Sequence, residues 1–90
     1  MSRAFVSEDG AEAPPPRFPL PARDDPAFAM AAAEALLAGA NLGHTDAAEA
    51  ATGHAWGDPA LHPVMEVLLA AFVRKRDDRM VQLAERFLGR

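Results

Sequence analysis

Histidine is the residue type in this chain best suited to bind a metal or to transfer a proton near neutral pH. The three histidines, His44, His54 and His62, are separated by ten and eight residues. These spacings do not place two imidazoles on one helix face, as the i, i+4 pair of a helical metal site would. A metal site would need the fold to bring all three together, with Asp46 or Asp58 as a fourth ligand. Since histidines are common at helix ends and turns, we predict no metal and no cofactor.

Other catalytic groups are scarce. The chain has no cysteine, and its only serines, Ser2 and Ser7, lie far from any fixed base. Residues 39–43 lack the lysine and the preceding strand of a phosphate-binding loop. The acidic pairs at residues 24–25 and 77–78 each stand where a helix is expected to begin, and capping accounts for them. We therefore predict that the protein is not an enzyme.

Aromatic, apolar and basic residues are the candidates for binding a partner. Trp56, the only tryptophan, is expected to cover the seam between two helical units, which we favour over a recognition role. The basic run at residues 74–76 closes a helix, where it complements the helix dipole; the alternative is a surface for an anionic partner. The candidate interaction residues are Phe18, Leu20, Trp56, Phe72, Arg74, Lys75, Arg76 and Arg79.

Two helices are predicted in the first half of the chain. Asp25 followed by Pro26 is an N-cap with proline at the first helical position, so a helix should begin there. It should run to about Gly39, with Gly39 and Gly43 bracketing its end. A second, short, alanine-rich helix should run from about Thr45 to Gly53.

Two more helices are predicted in the second half. Asp58 and Pro59 repeat the start signal, and after a short 3₁₀ segment the main helix should cover residues 63–74. Residues 77–78 should cap the last helix. The expected apolar stripes are Val64, Val67, Leu68, Ala71 and Phe72 in the third helix, and Met80, Ala84 and Phe87 in the fourth.

The two halves are similar at an offset of 33 residues. Residues 25–27 and 58–60 are both Asp-Pro-Ala, and the same offset aligns Leu36 with Leu69, Ala38 with Ala71 and Ala51 with Ala84. We therefore predict an all-α, duplicated helical hairpin with units 25–57 and 58–90. A two-helix unit of this period resembles the tetratricopeptide repeat, which implies a groove for an extended peptide. The first-helix aromatic positions of that family are largely alanine here, so a duplicated hairpin sharing only the period is the alternative.

Residues 1–24 form a proline-rich tail that should be extended, because five of the eight prolines lie between residues 14 and 21. A flexible leader is one reading. However, Phe18 and Leu20 favour a tail whose residues 17–21 pack on the helices of this chain or of a partner chain. The first eight residues and the following acidic and proline-rich stretch resemble the leader of some bacterial proteins related to the Gre transcript-cleavage factors. No functional residue transfers from that resemblance.

The charge distribution argues against nucleic acid as a ligand. Residues 1–73 hold ten acidic and three basic residues, a balance of −7, and residues 74–90 hold six basic and three acidic residues, giving +3 and a total of −4. No apolar run has the length of a signal peptide or a membrane span, and the absence of cysteine suits the cytoplasm.

We predict a non-catalytic protein-interaction or oligomerisation module. Two hairpins leave an apolar side uncovered, so a homodimer or a complex that buries Phe72, Val73 or Met80 is expected. The alternative is a small histidine-based metal-binding protein or enzyme.

Overall fold

The computed structural model describes residues 17–90, which contain four α-helices and no β-strand. The helices are α1, Phe28–Leu42; α2, Thr45–Thr52; α3, His62–Lys75; and α4, Asp78–Phe87, with a 3₁₀ helix at Pro59–Leu61 before α3. Helix α1 pairs with α2, and α3 pairs with α4. Helix α1 also contacts α3 and α4 and therefore forms the first hairpin's side of the seam. The predicted all-α duplicated hairpin is confirmed; residues 1–16 of the predicted tail lie outside the described residues.

The two hairpins begin with the same hydrogen bonds. The Asp25 carboxylate accepts from the N–H of Ala27 at 2.8 Å, and the Asp58 carboxylate accepts from the N–H of Ala60 at 2.9 Å. The carbonyls of the same two aspartates accept from the N–H groups of residues 28 and 61 at 2.9 and 3.0 Å. The repeated Asp-Pro-Ala sequence thus forms one structure twice, because each short carboxylate satisfies an N–H that has no helical partner.

The turn inside each hairpin is also repeated. In the first turn the N–H of His44 donates to the carbonyl of Gly39 at 2.7 Å, and in the second the N–H of Asp77 donates to the carbonyl of Phe72 at 3.0 Å. A hydrogen bond from the N–H of residue i+5 to the carbonyl of residue i is typical of a helix that ends in a residue with left-handed backbone conformation. That residue is Gly43 in the first turn and Arg76, with φ of 59°, in the second.

The predicted start of α1 was wrong, whereas its end falls between Gly39 and Gly43, as predicted. The helix begins at Phe28, two residues after Pro26, because the Asp25 side chain closes a separate turn over Ala27. It continues through Gly39 to Leu42. A Cβ on Gly39 would lie 2.7 Å from the Cβ of Ala48, so this glycine lets α2 approach α1 closely and does not end the helix.

The core lies between the two hairpins. In two helices, the residues that are buried differ from those that the sequence predicted. In α3 the buried residues are Met65, Leu68 and Leu69, whereas Val67 is 57% exposed. The second helices align at their starts but not in their buried faces, because Ala51 is exposed and Ala84 is buried. Helix α4 is longer and turns a different face inward. The largest fully buried side chains are those of Phe87, Leu36, Leu37, Leu61, Met65 and Thr52.

The described part of the tail lies on the helices, as predicted for residues 17–21. Phe18 and Leu20 are half-buried and pack against the core. Farther along, the guanidinium of Arg23 lies over the ring of Phe28, with its Cζ 5.7 Å from the ring centroid. The extended segment therefore covers apolar surface of the first hairpin.

Candidate functional site

A concave surface, a cleft of about 360 Å³, lies between the two hairpins. It is formed by the end of α1, the start of α2, the linker between the hairpins and one face of α4. We call it the inter-hairpin cleft, and its lining residues are Ala40, Thr45, Trp56, Arg79, Leu83 and Arg86. Because its walls come from both hairpins, the site exists only when the two units are docked.

Trp56 links the two hairpins at this cleft. Its indole meets the ring of Phe87 in α4 edge to face, with centroids 5.0 Å apart and an interplanar angle of 72°. Its backbone N–H donates to the Glu49 carboxylate of α2 at 2.8 Å. The linker is therefore held to the first hairpin by a charge-assisted hydrogen bond and to the second by aromatic packing. The indole remains half-buried, and its free surface faces the cleft.

Two arginines flank an apolar floor in the cleft. Arg79 and Arg86 are seven residues apart in α4 and so share one helix face, with the buried Leu83 between them. The Nε of Arg79 donates to the Asn41 side-chain oxygen at 3.0 Å. Neither guanidinium forms a salt bridge with a carboxylate of residues 17–90. The arrangement suits a ligand that carries both negative charge and apolar groups.

A histidine and a carboxylate meet next to the cleft, where the linker enters the second hairpin. His54 Nδ1 donates to Asp58 Oδ2 at 2.8 Å. This hydrogen bond and the one from the Ala60 N–H hold the pKa of Asp58 below its usual value. On the other side of Asp58, His62 Nε2 donates to the Gly57 carbonyl at 3.1 Å. Both imidazoles thus fix the path of the linker.

The three histidines do not converge. His44 lies exposed before α2, while His54 and His62 lie on either side of Asp58. Within residues 17–90, no group of three or more histidine, aspartate or glutamate side chains is arranged to hold a metal ion. The described structure therefore does not assemble the metal site weighed from the sequence.

A second, smaller groove lies where the tail meets α1. It has a volume of about 180 Å³ and is lined by Phe18, Pro19, Ala31, Glu34, Ala35 and Ala38. Its helix residues follow the i, i+3, i+4, i+7 spacing of one face. The tail fills part of that face, so this groove is a packing surface with little polar chemistry.

The residues singled out in the sequence fall into four places. Trp56 and Arg79 meet in the inter-hairpin cleft. Phe18 and Leu20 lie with the tail, and Phe72 is half-buried against the core. The run at residues 74–76 is exposed at the end of α3, away from the lining of the cleft.

Sequence reasoning missed Arg86 and Leu83 as parts of the site. The signal was available, because Arg79, Leu83 and Arg86 follow i, i+4, i+7 spacing on the last helix. The sequence does not show how α4 is rotated about its own axis, and this rotation directs that face towards Trp56.

Compared with known proteins, the chain matches no family model, no curated protein and no solved structure. Neither resemblance drawn from the sequence is therefore tested by these comparisons. In residues 17–90, no helix combines the length and the apolar character needed to cross a membrane.

Proposed function

We propose that the protein is a non-catalytic interaction module whose inter-hairpin cleft binds an acidic and partly apolar segment of a partner protein. The observation that carries this proposal is the combination of Arg79, Arg86 and the free face of Trp56 around one apolar floor. Tryptophan and arginine are the residue types that contribute most strongly to protein interfaces.

The charge of the cleft is the reason to propose an acidic partner. A guanidinium can bind a carboxylate through two parallel hydrogen bonds, which gives orientation as well as attraction. The two arginines are spaced by two helical turns, about 10 Å along α4. An extended segment with acidic residues separated by about three positions matches that distance.

The apolar floor is the reason to propose a peptide segment in preference to a small anion. Leu83 and the indole of Trp56 offer apolar contact that an inorganic anion does not use. A phenylalanine or leucine side chain between the acidic groups of the partner would fill this part of the cleft.

The test is a titration of the full-length chain with a short blocked peptide that contains glutamate and leucine but no tryptophan or tyrosine. Trp56 is the only tryptophan and the chain has no tyrosine, so its fluorescence reports binding at the cleft. We expect saturable binding that weakens with salt, because the charges lie near the surface. The same peptide with glutamine in place of glutamate should bind much more weakly.

Charge reversal provides the matched control. Arg79→Glu and Arg86→Glu should each weaken binding on the order of tenfold, because a favourable pair becomes a repulsive one. Arg74→Glu makes the same change of charge in α3 outside the cleft and should leave the affinity unchanged. Equal losses in all three variants would mean that only the net charge of the chain matters.

Self-association through exposed apolar residues is also part of the proposal. Leu42, Val67 and Val73 are 60%, 57% and 56% exposed, which is high for aliphatic side chains of this size. Val67 and Val73 both lie in α3, and a second copy of the chain would cover them. The cytoplasmic location remains a prediction from the cysteine-free sequence.

A further inference from the structure

The chain contains an acidic and apolar segment of its own that matches the cleft. Residues 5–12, Phe-Val-Ser-Glu-Asp-Gly-Ala-Glu, combine two large apolar side chains with three acidic ones and include no basic residue. We propose that this segment, here called the leader, binds in the inter-hairpin cleft of its own chain. The inference rests on the proposed function of the cleft, and it names an intramolecular ligand that a partner must displace.

Charge complementarity is the first argument. The leader carries Glu8, Asp9 and Glu12, and the cleft carries Arg79 and Arg86. Neither guanidinium group forms a salt bridge with a carboxylate of residues 17–90. Two other arginines, Arg23 and Arg90, already have charge-assisted contacts in the fold.

The contacts of the other arginines indicate where the acidic leader can bind. Arg90 is paired with Glu66, and Arg23 lies over the ring of Phe28. Arg74 and Arg76 are exposed at the end of α3 and do not line the cleft or its apolar floor. The inter-hairpin cleft thus combines apolar surface with two guanidinium groups that form no salt bridge within residues 17–90.

The length of the chain is the second argument. Phe18 and Ala38 line the groove on one side of α1, and Ala40, two residues farther, lines the cleft on the other side. A path around half of a helix about 10–12 Å in diameter is roughly 15–20 Å long. The six residues from Phe18 back to Glu12 span about 19 Å in polyproline-like backbone at about 3.1 Å per residue, and the ten residues back to Glu8 span about 31 Å. The leader is therefore long enough to reach the cleft while residues 17–21 keep their position.

An intramolecular ligand changes how the module responds to partners. A short tether gives an effective concentration on the order of 1 mM. If the free leader peptide binds with a dissociation constant of about 0.1 mM, the tethered leader weakens any competing segment about tenfold. The leader would then act as a built-in competitor that admits only partners with a better match to the cleft.

The experiment uses charge exchange in the full-length chain. One variant carries Glu8→Lys, Asp9→Lys and Glu12→Lys, a second carries Arg79→Glu and Arg86→Glu, and a third combines all five. Acrylamide quenching of Trp56 and the affinity for an added peptide of residues 1–16 are measured in each. Arg74→Glu with Lys75→Glu is the control, because it reverses two charges outside the cleft.

We expect the leader variant to expose Trp56 to the quencher and to bind the added peptide about tenfold more tightly than the unchanged chain does. The five-residue exchange should protect Trp56 again, because attraction is restored with the signs reversed, and the control should match the unchanged chain. Equal peptide affinity in the unchanged chain and the leader variant would overturn the intramolecular contact while leaving the cleft a binding site.

Two further outcomes would also decide the matter. Protection of Trp56 that increases with protein concentration would place the leader in a second copy, which contradicts the intramolecular proposal. Absence of binding by both the leader peptide and the glutamate peptide in every variant would remove the proposed function itself.

Discussion

The indole of Trp56 meets the ring of Phe87 edge to face, with centroids 5.0 Å apart. This contact connects the linker to α4, while the Trp56 N–H connects it to Glu49 of α2. The two hairpins are thus joined at the same place where the cleft opens. Stability and the proposed binding therefore depend on one side chain, and they can be separated by choosing the substitution.

Trp56→Ala should lower the free energy of unfolding by roughly 2–3 kcal/mol, at or below the low end of the cost of removing a fully buried tryptophan, because part of the indole is exposed. Trp56→Phe should retain most of the packing on Phe87 and cost less. Urea denaturation followed by circular dichroism measures both. Leu42→Ala, at a site 60% exposed, is the control and should change stability by less than about 0.5 kcal/mol.

Gly39→Ala should destabilise the protein although alanine is the better helix former. The new Cβ would lie 2.7 Å from the Cβ of Ala48 and 2.9 Å from the carbonyl oxygen of His44. Overpacking of this kind costs about 1–3 kcal/mol, more than the gain of about 1 kcal/mol in helix propensity. Adding Ala48→Gly should recover part of the loss, and a double-mutant cycle without coupling between the two sites would disprove the close approach.

Arg76→Gly should stabilise the protein. Arg76 is the only described non-glycine residue with positive φ, at 59°, and the equivalent position in the first hairpin is Gly43. Relief of the left-handed strain is worth about 1 kcal/mol and should raise the melting temperature by about 4–8 °C. Arg74→Gly, inside α3, should instead lower it by a similar amount.

Removing the docked tail should lower the melting temperature. Deletion of residues 1–22 removes Phe18 and Leu20 from the core surface, and a loss of about 1 kcal/mol would lower the melting temperature by about 4–8 °C. Deletion of residues 1–16 keeps both side chains and is the matched control for this packing. If both deletions melt at the same temperature, residues 17–21 do not contribute to stability.

Acid should weaken the fold partly through Asp58. The pKa of Asp58 in the folded protein lies below its usual value, chiefly because His54 hydrogen-bonds to its carboxylate and also because the Ala60 N–H does. A depressed folded pKa means that this contribution is present above about pH 4 and is lost as the pH falls through the folded pKa. Asp58→Asn should flatten that part of the stability profile between pH 5 and pH 2, measured by urea midpoints. An identical acid profile for the variant would count against the hydrogen bond.

Local signals in the sequence were sufficient for the helices and their duplication. Asp25 and Asp58 mark the starts of the two units, because a short carboxylate followed by proline is a common start signal for a helix or a turn. The sequence could not show that Gly39 is a packing position, since the neighbour that requires it, Ala48, lies in another helix. Similarly, Val67 and Met65 both fit a helical period, and only the packing of α3 decides which is buried.

The candidate site was predicted in part for the same reason. Trp56 and Arg79 stood out by residue type, but the cleft that joins them depends on how α4 packs against α1 and the linker. Arg86 was not among the candidate residues, and it lines the cleft with Arg79 because of that packing. The proposed binding site therefore requires both hairpins to be docked, because no single segment provides all of its walls.

The most direct test of the binding cleft is a nuclear magnetic resonance titration of the ¹⁵N-labelled full-length chain with the blocked glutamate and leucine peptide. The indole N–H of Trp56 and the side-chain Nε–H groups of Arg79 and Arg86 should shift together and saturate, while that of Arg74 stays in place. Signals that do not move, or that move equally for all arginines, would contradict a binding site between the hairpins.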